Sequence, residues 1–224
     1  MSDIEIITTS DGSHSIRNTT MDETYHSVHG AVQESVHVFV RNGLMYFQNN
    51  LPEIRILEIG FGTGLNALLT VKHVLESKLH VHYTTWEAHP LDAGTIRQLN
   101  YPKIIDVPGA ASLFQKLHEA SWTKEETIVN NFVLKKQLGR FQDTSLEEEQ
   151  FDLVYFDAFA PAKQPELWEI SILKKIEQSM KPGGVFVTYC AKGQLKRDLK
   201  SLGLRVETLP GPPGKKEMVR AVKY

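Results

Sequence analysis

Four acids, Glu58, Glu87, Asp143 and Asp157, stand at or just beyond the ends of apolar runs. Carboxylates at the ends of parallel strands face the crevice where an open α/β sheet binds its ligands. There they accept hydrogen bonds from hydroxyl groups, hold a cation or take up a proton. Beside the first acid lies Gly60-x-Gly62-x-Gly64, within residues 56–66 (ILEIGFGTGLN). Glycine has no Cβ, so a ligand can approach this backbone closely. The helix expected from Leu65 onward aims its positive end at the same place. The dinucleotide fingerprint wants its third glycine one residue later, where Leu65 stands, so a dinucleotide is disfavoured.

The elements that must position these groups follow from periodicity. Strands are expected at residues 54–59, 81–87, 132–142, 151–156, 185–190, 205–209 and 217–223, and helices at 63–76, 91–99, 110–120, 166–180 and 192–202. Their alternation predicts an α/β fold, a doubly wound, mostly parallel sheet of Rossmann-like type. The last two strands are joined by the short PGPPGKK loop and should pair antiparallel, giving a reversed C-terminal edge. Residues 100–132 exceed a standard connection and read as an insertion with its own helix. Residues 1–50 are expected to form a small extension, a hairpin around Ser10-Asp11-Gly12-Ser13 and a helix over 31–40, packed on a single folding unit at 51–224.

The chain has 224 residues, enough for one sizeable core. Its net charge of −2 conceals an asymmetry. From Ile172 onward, 12 Lys+Arg face 4 Asp+Glu, whereas the preceding residues carry 13 against 23. A basic last quarter suits a polyanion. The one cysteine, Cys190, excludes an internal disulfide and fits a reducing, cytoplasmic setting as a buried thiol. No run is apolar enough to span a membrane. The nine histidines lack metal-ligand spacing, so no metal is expected.

The pattern acid-x-Gly-x-Gly-x-Gly resembles the first motif of Rossmann-like S-adenosylmethionine-dependent methyltransferases. A more specific likeness lies in Asp157 to Trp168, DAFAPAKQPELW. With GFGTGLN at 60–66, EAHPL at 87–91, GPPGKKEM at 211–218 and residues 25–40, this run resembles the methyltransferase part of the bifunctional tRNA-modifying MnmC proteins and their stand-alone MnmD-type relatives. The likeness spans roughly residues 20–224. It implies N-methylation, from S-adenosylmethionine, of the 5-aminomethyl group of a tRNA wobble uridine, giving 5-methylaminomethyl-uridine, often 2-thiolated. The oxidoreductase domain of the bifunctional proteins finds no room in this length, so the amine is expected from other enzymes. A monomer is the expectation.

On this resemblance Asp157 is the candidate base. Glu58, Gly60, Gly62, Gly64 and Asn66 would surround the methionine moiety, Glu87 the ribose, and Gln142 with Asp143 the adenine. Tyr25, Glu34, Phe159, Pro161, Lys163, Trp168, Lys215 and Lys216 are the substrate candidates. Among them Phe159 and Trp168 offer stacking faces, and Lys163, Lys215 and Lys216 offer phosphate contacts. The alternative is a methyltransferase of the same class acting on a small-molecule or protein amine. Such an enzyme has no need of a basic C-terminal third.

Overall fold

A computed structural model describes residues 4–47 and 51–224. The boundary expected at residue 50 falls outside the described residues. Strands β1 (Ile4–Thr8), β2 (His14–Asn18) and β3 (Glu23–Thr24) form a small antiparallel sheet. Helix α1 (Ala31–Ser35) follows, running into a π-helical turn over Val36–Arg41. The expected single helix therefore changes register halfway, with Asn42 closing it through its backbone and side-chain N–H groups onto the His37 carbonyl.

The main sheet contains β4 (Glu53–Ile59), β5 (His80–Glu87), β6 (Glu125–Val129), β7 (Phe132–Leu138), β8 (Phe151–Phe156), β9 (Met180–Thr188), β10 (Arg205–Pro210) and β11 (Glu217–Val222). Helices α2 (Leu65–Leu75), α3 (Ala93–Gln98), α4 (Tyr101–Ile104), α5 (Ala110–Glu119), α6 (Ile170–Ser179) and α7 (Gly193–Ser201) connect its strands. Strand order is β10-β11-β9-β8-β4-β5-β7-β6. β9, β8, β4, β5 and β7 run parallel. Every residue of β8 is buried, as a central strand covered on both faces requires. The fold is thus the Rossmann-like, doubly wound one, and β10 and β11 form its reversed C-terminal edge.

The chain leaves β4 toward β5 and β7, then returns to β8 on the other side, so the order reverses at β4. A crevice opens above the carboxyl ends at such a switch point. Gly60, Asp157 and Glu87 all stand there.

Three expectations are corrected. The insertion carries a strand as well as helices: β6 pairs antiparallel with β7 around Asn130-Asn131, residues suited to a two-residue turn, and gives the sheet a second reversed edge. The helix expected over 166–180 is broken at Glu169, whose extended backbone separates a 3-10 turn over Pro165–Trp168 from α6. β7 ends at Leu138, four residues before Gln142, because the chain turns at Gly139 in a conformation with φ +135°.

The N-terminal segment shares the main core, with Ile16, Ala31, Val38 and Phe39 joining the cluster that includes Ile56, Leu65 and Leu68. Tyr101 Oη donates to the His14 carbonyl at 2.8 Å, and Asn100 bonds both His14 N and the Gly12 carbonyl. None of the helices among the described residues is long and apolar enough to cross a membrane. No cluster of three or more metal-ligating side chains occurs among them.

Candidate active site

The glycine turn takes the shape its sequence requires. Gly60, Gly62 and Gly64 all have positive φ, at +93°, +48° and +71°. A Cβ on Gly60 would lie 2.6 Å from the Asp157 carbonyl oxygen, so a side chain there is excluded on two counts. Glu87 braces the turn: its Oε2 accepts from Gly62 N at 2.9 Å and its Oε1 from His89 N at 2.8 Å. A cavity of about 440 Å³ opens over this turn, lined there by Gly60, Gly62, Thr63, Trp86, Glu87 and Gln142.

The N-terminal segment folds over the cleft. Tyr25 packs against Gly62 and meets the Phe159 ring edge-on at 5.0 Å. His26 Nε2 bonds Thr63 Oγ1 at 2.7 Å. Burial pushes the His26 ring down to about 4, so it stays neutral near pH 7. Asp157 and Glu34 also line the cavity, with Tyr189 and Lys215. Glu34 Oε2 accepts from Ser27 N at 2.7 Å, and its Oε1 from Lys215 Nζ at 2.6 Å.

Beneath the turn is a buried chain of polar groups. Asn66 Nδ2 donates to Asp157 Oδ2 at 2.8 Å and to Glu58 Oε1 at 3.2 Å, while Thr85 Oγ1 donates to Glu58 Oε2 at 2.8 Å. Burial raises the Glu58 carboxyl to about 7 against these donors. It also pushes Asp157 well above the ordinary carboxylate range, helped by the charges of Glu34 and Glu58 and opposed by Asn66 and Lys215. Asp157 in the free protein therefore holds a proton more readily than an exposed carboxylate does.

Several candidates sit elsewhere than expected. Glu58, Gly64 and Asn66 lie behind the turn and shape it without lining the cavity. Asp143 pairs with Arg140 at 3.7 Å on the surface, 69% of its side chain exposed, and only its neighbour Gln142 reaches the cleft. Trp168 is a core residue: it stacks edge-on against Phe156, and its indole N–H donates to the Phe159 carbonyl, so it supports Phe159 and offers no stacking face. Lys163 donates to the Met21 carbonyl. Neither it nor Pro161 lines the cavity. Lys215 is bound to Glu34 and sits 3.8 Å from the Tyr189 ring centroid, while Lys216 is exposed. Tyr189, whose Oη donates to the Ala158 carbonyl, was not among the sequence candidates. Its place beyond the end of β9, the strand beside β8, was the signal that pointed to it.

A Rossmann-like sheet with a glycine turn that forbids side chains, and an acid at the end of the next strand, defines a nucleoside-cofactor enzyme. The sequence pattern of the S-adenosyl-L-methionine-dependent methyltransferases matches residues 113–224, half of the chain, and the chain belongs to that family. It is 31% identical over 217 residues to the tRNA 5-methylaminomethyl-2-thiouridine biosynthesis bifunctional protein MnmC of Idiomarina loihiensis, covering 90% of this chain and 36% of that protein. The protein of that name from Pseudoalteromonas atlantica is 29% identical over 221 residues, covering 91% and 31% respectively. The chain thus spans about a third of the length of these curated relatives. The crystal structure of MNMC2 from Aquifex aeolicus superposes with a TM-score of 0.80 at 29% identity, over 99% of this chain and 70% of that one.

The residues present fit S-adenosylmethionine. The side-chain-free cradle at Gly60 and Gly62 would take its methionine part, which carries no phosphate and needs no lysine. Glu87 would offer carboxylate oxygens to the ribose hydroxyls, and Gln142 and Trp86 line the same cavity.

Proposed function

We propose that this chain methylates the aminomethyl group on carbon 5 of a tRNA wobble uridine, giving 5-methylaminomethyl-uridine with or without 2-thiolation. The observation that carries the reading is that two carboxylates, Asp157 and Glu34, line the same cavity as the glycine turn, together with the aromatic rings of Tyr25 and Phe159. Carboxylates and aromatic rings in one cavity suit an alkylammonium on a planar base. The printed names of the relatives support the same acceptor.

S-adenosylmethionine, when bound, supplies an electrophilic methyl group. The protein's work is then positioning and proton handling. An alkylammonium has no lone pair and must lose a proton before it can attack. An arriving cation favours the ionised form of Asp157, as an opposite charge within contact distance does. The carboxylate so formed holds the ammonium and accepts its proton. Asn66 keeps Oδ2 of Asp157 in place throughout.

The basic surplus is less available to a polyanion than its count suggests. Lys196 is paired with Glu217, Arg220 with Glu207, Lys181 with Asp152 and Lys223 with Glu177. Lys174, Lys192, Arg197, Lys200 and Lys216 are exposed and outside these ion pairs, and they are the candidate phosphate contacts.

The test compares acceptors under one set of conditions: tRNA bearing 5-aminomethyl-uridine, a free alkylamine and a lysine peptide. Preference for the tRNA, with binding that weakens steeply as salt rises, is the expected result. Equal methylation of the small amine or the peptide contradicts the tRNA assignment and leaves an amine methyltransferase.

A further inference from the structure

Lys215 is itself a primary alkylamine, and it lies in the cavity that the acceptor amine must enter. Its Nζ meets the Glu34 carboxylate at 2.6 Å and the Tyr189 ring at 3.8 Å from the centroid. A carboxylate and an aromatic face are together what recognises an ammonium ion. The site is built to last: Glu34 has 6% of its side chain exposed, with its second oxygen held by Ser27 N. The lysine is the looser partner, one third exposed at 33% and carried by the loop between β10 and β11. That loop is shaped to bring it in. Gly214, at φ +84°, packs against the His29 ring, and His37 Nε2 donates to the Pro210 carbonyl.

We propose that Glu34 and Tyr189 form an ammonium subsite that Lys215 fills in the free protein, and that the acceptor's primary ammonium displaces Lys215 on binding. The Glu34 carboxylate, paired with one resident cation, has no unmatched charge for a second ammonium, and Asp157 is left as the separate group that takes the proton. The more exposed partner, on a loop, yields more readily than the buried carboxylate. Once released, Lys215 lies beside Lys216 on the surface and is free to contact the nucleic-acid backbone. Amine capture and phosphate binding are thereby coupled through one side chain.

This inference rests on a primary amine being the acceptor, but its test reads competition and not turnover alone. The affinity of free 5-aminomethyl-uridine nucleoside, with S-adenosylhomocysteine present, is compared for wild type, Lys215→Met and Lys215→Arg, with uridine as control. Lys215→Met removes the competitor and should tighten nucleoside binding several-fold, while weakening tRNA binding and lowering its salt slope by about one. Lys215→Arg, which holds a carboxylate bidentately, should weaken nucleoside binding several-fold in a protein that keeps its ion pair. The opposite signs survive even if the Met variant folds poorly, since the Arg variant carries half the test. Weaker nucleoside binding in both variants, or no change in either, overturns the displacement. Should wild type methylate 5-aminomethyl-uridine tRNA normally while this happens, the acceptor assignment stands and only the role of Lys215 falls.

Discussion

On the proposed reading, the cofactor half of the cavity draws on one short stretch, Gly60 to Thr63, its brace Glu87 with Trp86 on the neighbouring strand, and Gln142. The acceptor half would draw on Glu34, Asp157 and Lys215 from three distant parts of the chain, with Glu34 and Lys215 181 positions apart. The first half is set by local backbone geometry, because three residues with positive φ follow one another at fixed spacing. The second is set by tertiary packing, because the N-terminal segment must fold over the turn and the C-terminal loop must meet it. Binding the cofactor and selecting the acceptor should therefore be separable by mutation.

The sharpest separation comes from Asp157→Ala. Loss of the group that accepts the ammonium proton should cost on the order of 10²–10⁴-fold in methyl transfer, with cofactor binding intact by calorimetry. Near-normal turnover would move proton acceptance to another residue. Gly60→Ala is the reverse case. The new Cβ meets the Asp157 carbonyl at 2.6 Å at a φ of +93°. The strain of about 1–3 kcal/mol should weaken cofactor binding by roughly ten- to a hundredfold. Unchanged affinity there would mean that the turn does not touch the cofactor.

The buried acid between the halves gives a pH signature. Glu58 is raised from 4.5 to about 7 in the folded protein. The folded state thus holds this proton more tightly than the unfolded chain, so stability is full below about pH 4.5 and is lost as pH rises to about 7. Melting curves should show that decline for wild type and a flatter one for Glu58→Gln across the same window. Some decline with rising pH should remain in the variant, because Asp157 is raised as well. Equal slopes for both proteins would remove Glu58 as the source. The smallest effect belongs to Lys216→Glu, which should weaken tRNA binding modestly and leave cofactor affinity alone.

The same contrast explains what could be read from the sequence. Glycine spacing and the acids Glu87 and Asp157 announce themselves, since turn chemistry and strand ends are local. Asp143 misled because a strand that ends at Leu138 was taken to run on to Gln142, and the turn at Gly139 left no hydrophobic signal. Trp168 carried no mark of which way it faced, and the break at Glu169 turned it into the core. The ion pair of Lys215 was illegible for a simpler reason. Periodicity places residues on faces of their own elements, and Glu34 lies on an element from the opposite end of the chain.

The most direct test incubates the protein with labelled S-adenosylmethionine and tRNA bearing 5-aminomethyl-uridine, followed by nucleoside analysis. The account predicts label in 5-methylaminomethyl-uridine and in no other nucleoside. Bound cofactor with no label in that nucleoside would contradict it.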